Sequence, residues 1–358
     1  MNESRLKISL SSLAILISVI LCLILLWHLR GLLVTLMIAA VLAATLAPIV
    51  DSAEKFVPRW LGVVLAYLII IGILVGGGLV IGPTVFTQLQ RLIQKFPLYL
   101  DILSNTAESL VMRFGITEPR ALELIDQLLD LQALISWGVR SSQKLLLSSL
   151  GVTRGIVGGT LNLILSILLS AYLLAGSDKL IKGFVRIFPE PWDKKIQAQF
   201  DPVTERMGKY IQGRILVSLV LGVTITIGLK VLGINEFALG LGVIAGFTNL
   251  IPFFGPVLGS IPALIVAVAQ GGWVFLWVLL LFLVIQNLET YVLDPLLVGS
   301  SVKVEPLYQL LAVLGGVQVL GIIGALIVPP WIAAAGVVLE NLYIEPKQKA
   351  QITENCSK

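Results

Sequence analysis

NLIPFFGPVLGSIP, residues 249–262, places three prolines and two glycines inside an apolar region that runs from 237 to 270. A helix crossing a bilayer satisfies every backbone group within itself, and an orphaned group in hydrocarbon costs several kcal/mol. A break of this kind at membrane depth is tolerated only where protein or a water-filled cavity takes up the freed groups. The stretch therefore predicts either a proline kink in a long tilted helix or two half-helices joined by a turn whose freed groups protein or a water-filled cavity satisfies.

The surrounding sequence makes the membrane setting firm. The 358 residues are 57% hydrophobic and 13% charged, with a mean hydropathy of +0.97. Soluble domains carry about 25% charged residues, and crossing a hydrocarbon core of about 30 Å takes roughly 20 helical residues. Apolar runs of that length recur near 8–27, 31–50, 61–86, 156–175, 211–233 and 273–293, with two long interrupted regions at 237–270 and 307–339. The fold class is an all-α polytopic membrane protein with about eight apolar segments, two of them broken. The pI of about 9.0 and net charge of +4 then describe topology and contact with membrane lipid, not nucleic-acid binding. The two cysteines, Cys22 and Cys356, cannot build a disulfide framework or a CxxC metal site. The first run follows Arg5 and Lys7, lacks a small-x-small cleavage site, and reads as a retained helix.

Six segments follow. Residues 1–86 form a three-span unit and 87–155 a polar but periodic stretch of amphipathic helices. In it Leu89, Leu92, Ile93 and Phe96 share one face, as do Leu122, Ile125, Leu128 and Leu129. A fourth span covers 156–175. Residues 176–210 form a helical polar segment, with Ile196, Phe200, Val203 and Met207 at helical spacing. The core membrane domain is 211–340, and 341–358 is a tail. Eight Lys/Arg crowd into 176–214, against seven spread among six acids in 87–154. The positive-inside rule puts 51–60, 176–210 and both termini in the cytoplasm of a cell whose inner membrane holds the chain.

The two interrupted regions are alike. Each spans about 33 residues, near 50 Å if straight, too long for one upright crossing. The first is broken at Pro252, Gly255 and Pro256, and the second at Gly321, Gly324 and Pro329–Pro330. Gly246 precedes Pro252 by the spacing at which Gly324 precedes Pro330, which hints at a repeat. Paired broken segments are the best sequence pointer to a transport site. Two re-entrant hairpins and two full crossings both return the tail to the cytoplasm, and the reading here favours hairpins.

Few residues can carry transport. Between Lys230 and Glu340 the charges are Glu236, Glu289, Asp294, Lys303 and Glu305. Glu289 lies at the end of an apolar span beside Gln286 and Asn287, so it is either a proton carrier or ion ligand, or an interfacial carboxylate. Thr248 and Asn249 either present oxygens to a polar solute or cation, or cap a half-helix. Asn162, Ser166 and Ser170 form a polar stripe that reads as helix–helix glue. Arg214 and Lys230 read as interfacial residues, and His28, beside Trp27, as part of an aromatic belt. No GxxxxGK[ST] loop, HExxH or GxSxG occurs, and one histidine cannot supply a two-histidine metal site, so no enzyme, metal or cofactor is expected.

GFTNLIPFFGPVLGSIPALIVAV, residues 246–268, resembles the Asn-x-Ile-Pro-aromatic-x-Gly-Pro signature of the autoinducer-2 exporter family of bacterial permeases. YIQGRILVSLVLGVTITIGLKVLGI precedes it, and NLETYVLDPLLVGSSVKVEPL and GGVQVLGIIGALIVPPWIAA follow in family order. The resemblance covers about residues 10–340. It departs at Glu305–Pro306, where the family often has a histidine before the proline, and at Pro329–Pro330–Trp331. It implies export of a small polar signalling molecule in some members, sodium/proton antiport in others, and a homo-oligomer, a pentamer. A scaffold that transports nothing is the contrasting reading from another class.

The topology has a direct check. With Cys22 and Cys356 replaced by serine, Ser301→Cys should react with a membrane-impermeant maleimide only from the cytoplasmic face. Labelling from outside alone would exclude the two-hairpin arrangement.

Overall fold

A computed structural model describes residues 28–113, 161–299 and 305–356, with isolated positions between 17 and 25. Most of the expected first span, and the second amphipathic face around Leu122 to Leu129, lie outside the described residues. So does Lys303. Among the described residues every regular element is helical. Among them five helical stretches, including the one bent at Gly321, are long and apolar enough to cross a membrane by length and composition.

Helix α1 spans Arg30–Ala53 and α2 spans Arg59–Arg113. At 55 residues, α2 is about 80 Å long, far more than a bilayer core needs. The expected boundary at residue 86 is therefore not a helix end. Pro83 and Pro97 lie inside α2, which runs on past both. Of the first predicted amphipathic face, Leu92 is buried, while Ile93 is exposed.

Helix α3, Leu161–Ala175, corresponds to the fourth span and meets α4, Ser177–Val185, at a bend of 83°. Its polar stripe works as helix glue. Ser166 Oγ donates to the Asn162 carbonyl at 2.7 Å and lies 3.3 Å from the Thr35 carbonyl, while Ser170 Oγ is hydrogen-bonded to the Tyr67 hydroxyl. Short α5, Trp192–Gln197, leads into α6, Phe200–Val231. The amphipathic face expected just before the span is thus divided, with Ile196 in α5 and Phe200, Val203 and Met207 in the first third of the 32-residue α6.

Everything that positions the site packs on α6. Beyond its Val231 end the chain forms α7, Ala238–Thr248, turns, and returns as α8, Phe254–Gln270. These arms of 11 and 17 residues make the first hairpin, each shorter than an upright crossing requires. They lie against the second half of α6, where Val217, Leu221, Ile225 and Leu229 form a core with Leu241, Ala245, Ala263 and Val266. Contact is close because a Cβ on Gly246 would stand 2.9 Å from the Ser218 carbonyl, the small-residue packing that lets membrane helices approach without a hydrophobic drive.

Helix α9, Gly272–Leu288, then runs back along α6 and widens into a π-helix over Glu289–Gly299. The remaining apolar region, α10, spans Pro306–Leu339 and is a second hairpin. Its only non-helical residue is Gly321 (φ 65°, ψ −151°), and beyond it the chain doubles back. Residues 316 and 324 would stand about 12 Å apart on a straight helix, yet a Cβ on either would overlap the other's carbonyl. Pro329 and Pro330, expected to form part of the break, lie buried inside a continuous helical arm. Gly246 comes before its turn and Gly324 after its own, so the shared spacing does not mark equivalent positions. The second hairpin packs on the first half of α6 and on α1, through Val41, Ala44, Met207, Ile327 and Ala334. The tail continues as a helix, α11, to Cys356.

Gly324→Val should part the arms of the second hairpin, since overpacking a tight contact costs about 1–3 kcal/mol or more. The expected outcome is a lowered thermal midpoint for the purified protein. Gly315→Ala, where a Cβ meets nothing within 4 Å, should leave it unchanged.

Candidate functional site

The first hairpin turns through a strained backbone. Phe253 adopts φ 65°, ψ −44°, and the Phe254 N–H donates to the Pro252 carbonyl at 2.8 Å. This is the γ-turn of the rarer, strained hand. Gly255 seals the turn, because a Cβ there would overlap the Thr248 carbonyl and the Asn249 Cα. Thr248 Oγ1 lies 3.1 Å from the Ala245 carbonyl and 3.0 Å from the Gly255 carbonyl, either of which can accept its proton. The Thr248 hydroxyl is thus hydrogen-bonded locally within the turn.

Asn249 does something else. It is buried, at 2% exposure, and its side chain leaves the turn for α6 and the start of the π-helix. Its Nδ2 donates to Glu289 Oε1 at 3.1 Å, and its Oδ1 lies 3.4 Å from Arg214 Nη2. Arg214 Nη1 reaches the same Glu289 Oε1 at 3.1 Å and Asp294 Oδ1 at 3.4 Å. Arg214 and Glu289 are 4% and 3% exposed. The Asp294 side chain, at 41%, is open. Three separate elements thus meet at one buried guanidinium: the middle of α6, the tip of the first hairpin, and the first turns of the π-helix. Arg214, read from the sequence as an interfacial anchor, and Glu289, for which an interfacial carboxylate is one of two readings, are both buried within the protein.

Beside the cluster lies a void of about 20 Å³, lined in part by Asn249, Pro256, Gln286 and Glu289, about the volume that holds one water. Its other walls come from Leu221, Ile225, Ala245, Phe282 and Ile285. Gln286 is half-buried on this wall, with its Nε2 3.5 Å from Thr290 Oγ1. Asn287 turns away and is exposed, bonded to the Leu283 carbonyl at 2.7 Å. Pro252 is buried at the turn. Gly321, Gly324 and Pro329 belong to the second hairpin and have no contact with the cluster among the polar interactions described. On that side Gln309 Nε2 donates to the Tyr210 hydroxyl at 3.1 Å, one turn of α6 before Arg214. No group of three or more His, Cys, Asp or Glu able to hold a metal occurs among the described residues.

At its base the first hairpin is held by α2. Lys95 Nζ lies 2.9 Å from Glu236 Oε2, Gln88 Oε1 accepts from the Gly240 N–H at 2.7 Å, and the Tyr99 and Phe237 rings meet edge to face.

Sequence comparison places this arrangement among known membrane proteins. The family model described as "AI-2E family transporter" matches residues 13–344. The "Putative transport protein YueF" of Bacillus subtilis (strain 168) is 26% identical over 324 residues, covering 90% of this chain and 87% of that protein. The "Putative transport protein YrrI" of the same organism is 33% identical over 196 residues, 53% and 55% of the two chains. The "Putative permease PerM" of Escherichia coli (strain K12) is 27% identical over 293 residues, 79% of each.

Removing one partner of a buried ion pair leaves an uncompensated charge and costs about 3–5 kcal/mol, whereas an apolar replacement of both is often neutral. Glu289→Leu should therefore lower the thermal midpoint sharply, Glu289→Gln less, and Arg214→Met with Glu289→Leu should recover much of the loss. Equal melting of all three variants and the parent would show that the cluster carries no such coupling.

Proposed function

This chain belongs to the AI-2E transporter family, and from that premise we propose that it is a secondary transporter exporting a small polar metabolite or signalling molecule. The observation that carries the reading is the buried cluster of Arg214, Glu289 and Asn249 at the tip of a helical hairpin. Ionisable residues inside a membrane protein are costly, and they concentrate on substrate and ion pathways. Helix breaks at the same depth supply backbone groups and a mobile tip. Asn249, Gln286, Glu289 and Pro256 then line the solute's path. The second hairpin, broken at Gly321, approaches the other half of α6, which supports an inverted pair of re-entrant hairpins in the inner membrane with both termini cytoplasmic. A homo-oligomer is part of the proposal on family resemblance alone.

A second reading, sodium or another cation against protons, has one observation in its favour. The cluster holds one guanidinium and two carboxylates, a formal excess of one negative charge that a proton or monovalent cation would balance. In that reading Glu289 carries the exchanged ion.

Two measurements separate these readings from each other and from a scaffold. Metabolites released by cells with and without the protein report solute export. A pH dye inside proteoliposomes given a sodium pulse reports antiport. Glu289→Gln should reduce whichever flux is found by about tenfold or more, the loss of one charge-assisted contact. If wild-type protein produces neither flux, the transporter reading fails and the scaffold stands.

A further inference from the structure

The guanidinium of Arg214 has one side without an adequate partner among the described residues. Its five N–H donors form a rigid fork. Glu289 and Asp294 both engage Nη1. The opposite edge, formed by Nε–H and Nη2–H, is the edge that carboxylates and phosphates grip with two parallel bonds. Among the described residues, Nη2 there has only the amide oxygen of Asn249 at 3.4 Å, and buried Nε has no partner. One turn along α6, on the same face, Ser218 is 5% exposed and its buried Oγ likewise has no partner. Buried polar atoms without partners are rare in native proteins, and each calls for a specific explanation. Here two occur together beside the tip of the broken hairpin.

We infer that the Nε–Nη2 edge of Arg214, with Ser218 Oγ, is a recognition site for an anionic oxygen group, a carboxylate or phosphate, on the transported solute. This rests on the transporter reading above and gives its solute a charge. The solute's two oxygens take Nε–H and Nη2–H, and Ser218 donates to one of them. Asn249 Oδ1, held only at 3.4 Å, gives up its place. The added negative charge is offset because Asp294, at 3.4 Å and half-exposed, can turn to water while Glu289 stays on Nη1. Arg214 is never left without an anion, which is the state that would cost most. A void of about 20 Å³ cannot admit such a solute, so binding requires the hairpin tip to withdraw. Gly233 and Gly271, at the two feet of that hairpin, have φ of 89° and 120° and open space around them, so movement there meets no side-chain barrier.

The experiment compares metabolites released by cells carrying no protein, wild type, Arg214→Lys and Ser218→Ala. Folding of each variant is checked by size-exclusion chromatography of the purified protein. Every solute whose release depends on wild type is expected to carry a carboxylate or phosphate. Arg214→Lys, which keeps the charge and loses the fork, should cut its release about tenfold, and Ser218→Ala severalfold, each near the loss of one hydrogen bond to a charged group. Dependent solutes that are all neutral or cationic would overturn the assignment while leaving the exporter reading intact. So would wild-type release by a folded Arg214→Lys protein. Should Arg214→Lys not fold, the charge of the wild-type solutes and the Ser218→Ala rate decide. No dependent solute at all would sink the exporter reading and this site with it.

Discussion

A guanidinium cannot shed its charge in a protein, and Arg214 is buried. That single constraint organises the centre of the molecule. Burial is tolerable only where acceptors converge, and they converge from far along the chain: Asn249 is 35 residues away, Glu289 is 75 and Asp294 is 80. For three elements to bring those groups within hydrogen-bond reach, their backbones must pass unusually close. Small residues make that possible on both sides of Arg214. Gly213 lets the π-helix in against α6, since a Cβ there would stand 2.8 Å from the Val298 Cα. Gly246 does the same for the first hairpin one turn further along. The polar centre and the glycine contacts are thus one design: neither arrangement can form without the other.

The hairpins follow from the same need. A continuous helix in place of residues 238–270 would carry Asn249 past the guanidinium with its backbone fully bonded and its direction unchanged. Turning at 249–254 instead lets the Asn249 side chain face α6 and Glu289 while the chain goes back the way it came. The cost is local: a γ-turn at Phe253, beside which Thr248 Oγ1 lies within reach of the Ala245 and Gly255 carbonyls. Strain of about 1–3 kcal/mol persists only where surrounding packing over-determines it, and here the apolar arms on α6 supply that packing. The second hairpin reaches its turn more simply, through one glycine at positive φ and a carbonyl-to-backbone contact between Gly316 and Gly324.

The sequence made the broken regions legible because proline and glycine act through the backbone alone, and their effects need no partner. The membrane class and the Glu289–Asn249 candidates were legible for a similar reason, since a polar residue in an apolar run stands out without any contact being known. Arg214 was not. It follows Arg206 and Lys209 in a basic border, where one more cation looks like snorkelling. Its partners lie across distances that a single sequence does not encode. Pro329–Pro330 misled in the opposite sense. Neighbouring structure can re-satisfy the groups a proline frees in a membrane helix, and the chain turns at Gly321, where positive φ was needed. The segment boundary at residue 86 is likewise not a helix end, because hydropathy falls there while the helical backbone continues to Arg113.

The forces holding the first hairpin are divided along its length in a way that bears on movement. Its arms are held to α6 and α9 by apolar and small-residue contacts, which are numerous and depend little on any one group. Its tip is held to this centre by two directional polar contacts of Asn249, at 3.1 Å to Glu289 and at 3.4 Å to Arg214, around a charge that can accept other partners. Its base is tied to the arm of α2 by an exposed ion pair from Glu236 to Lys95, and such pairs contribute about 0–1 kcal/mol. Polar contacts exchange for equivalent ones with a ligand at little net cost, whereas apolar contacts have no such substitute. The tip is therefore the part of the hairpin whose bonds a solute with acceptor oxygens can replace. On the proposed reading the arms shift as a unit while Arg214 stays on α6, so the charge proposed to recognise a solute need not move with the tip that admits it.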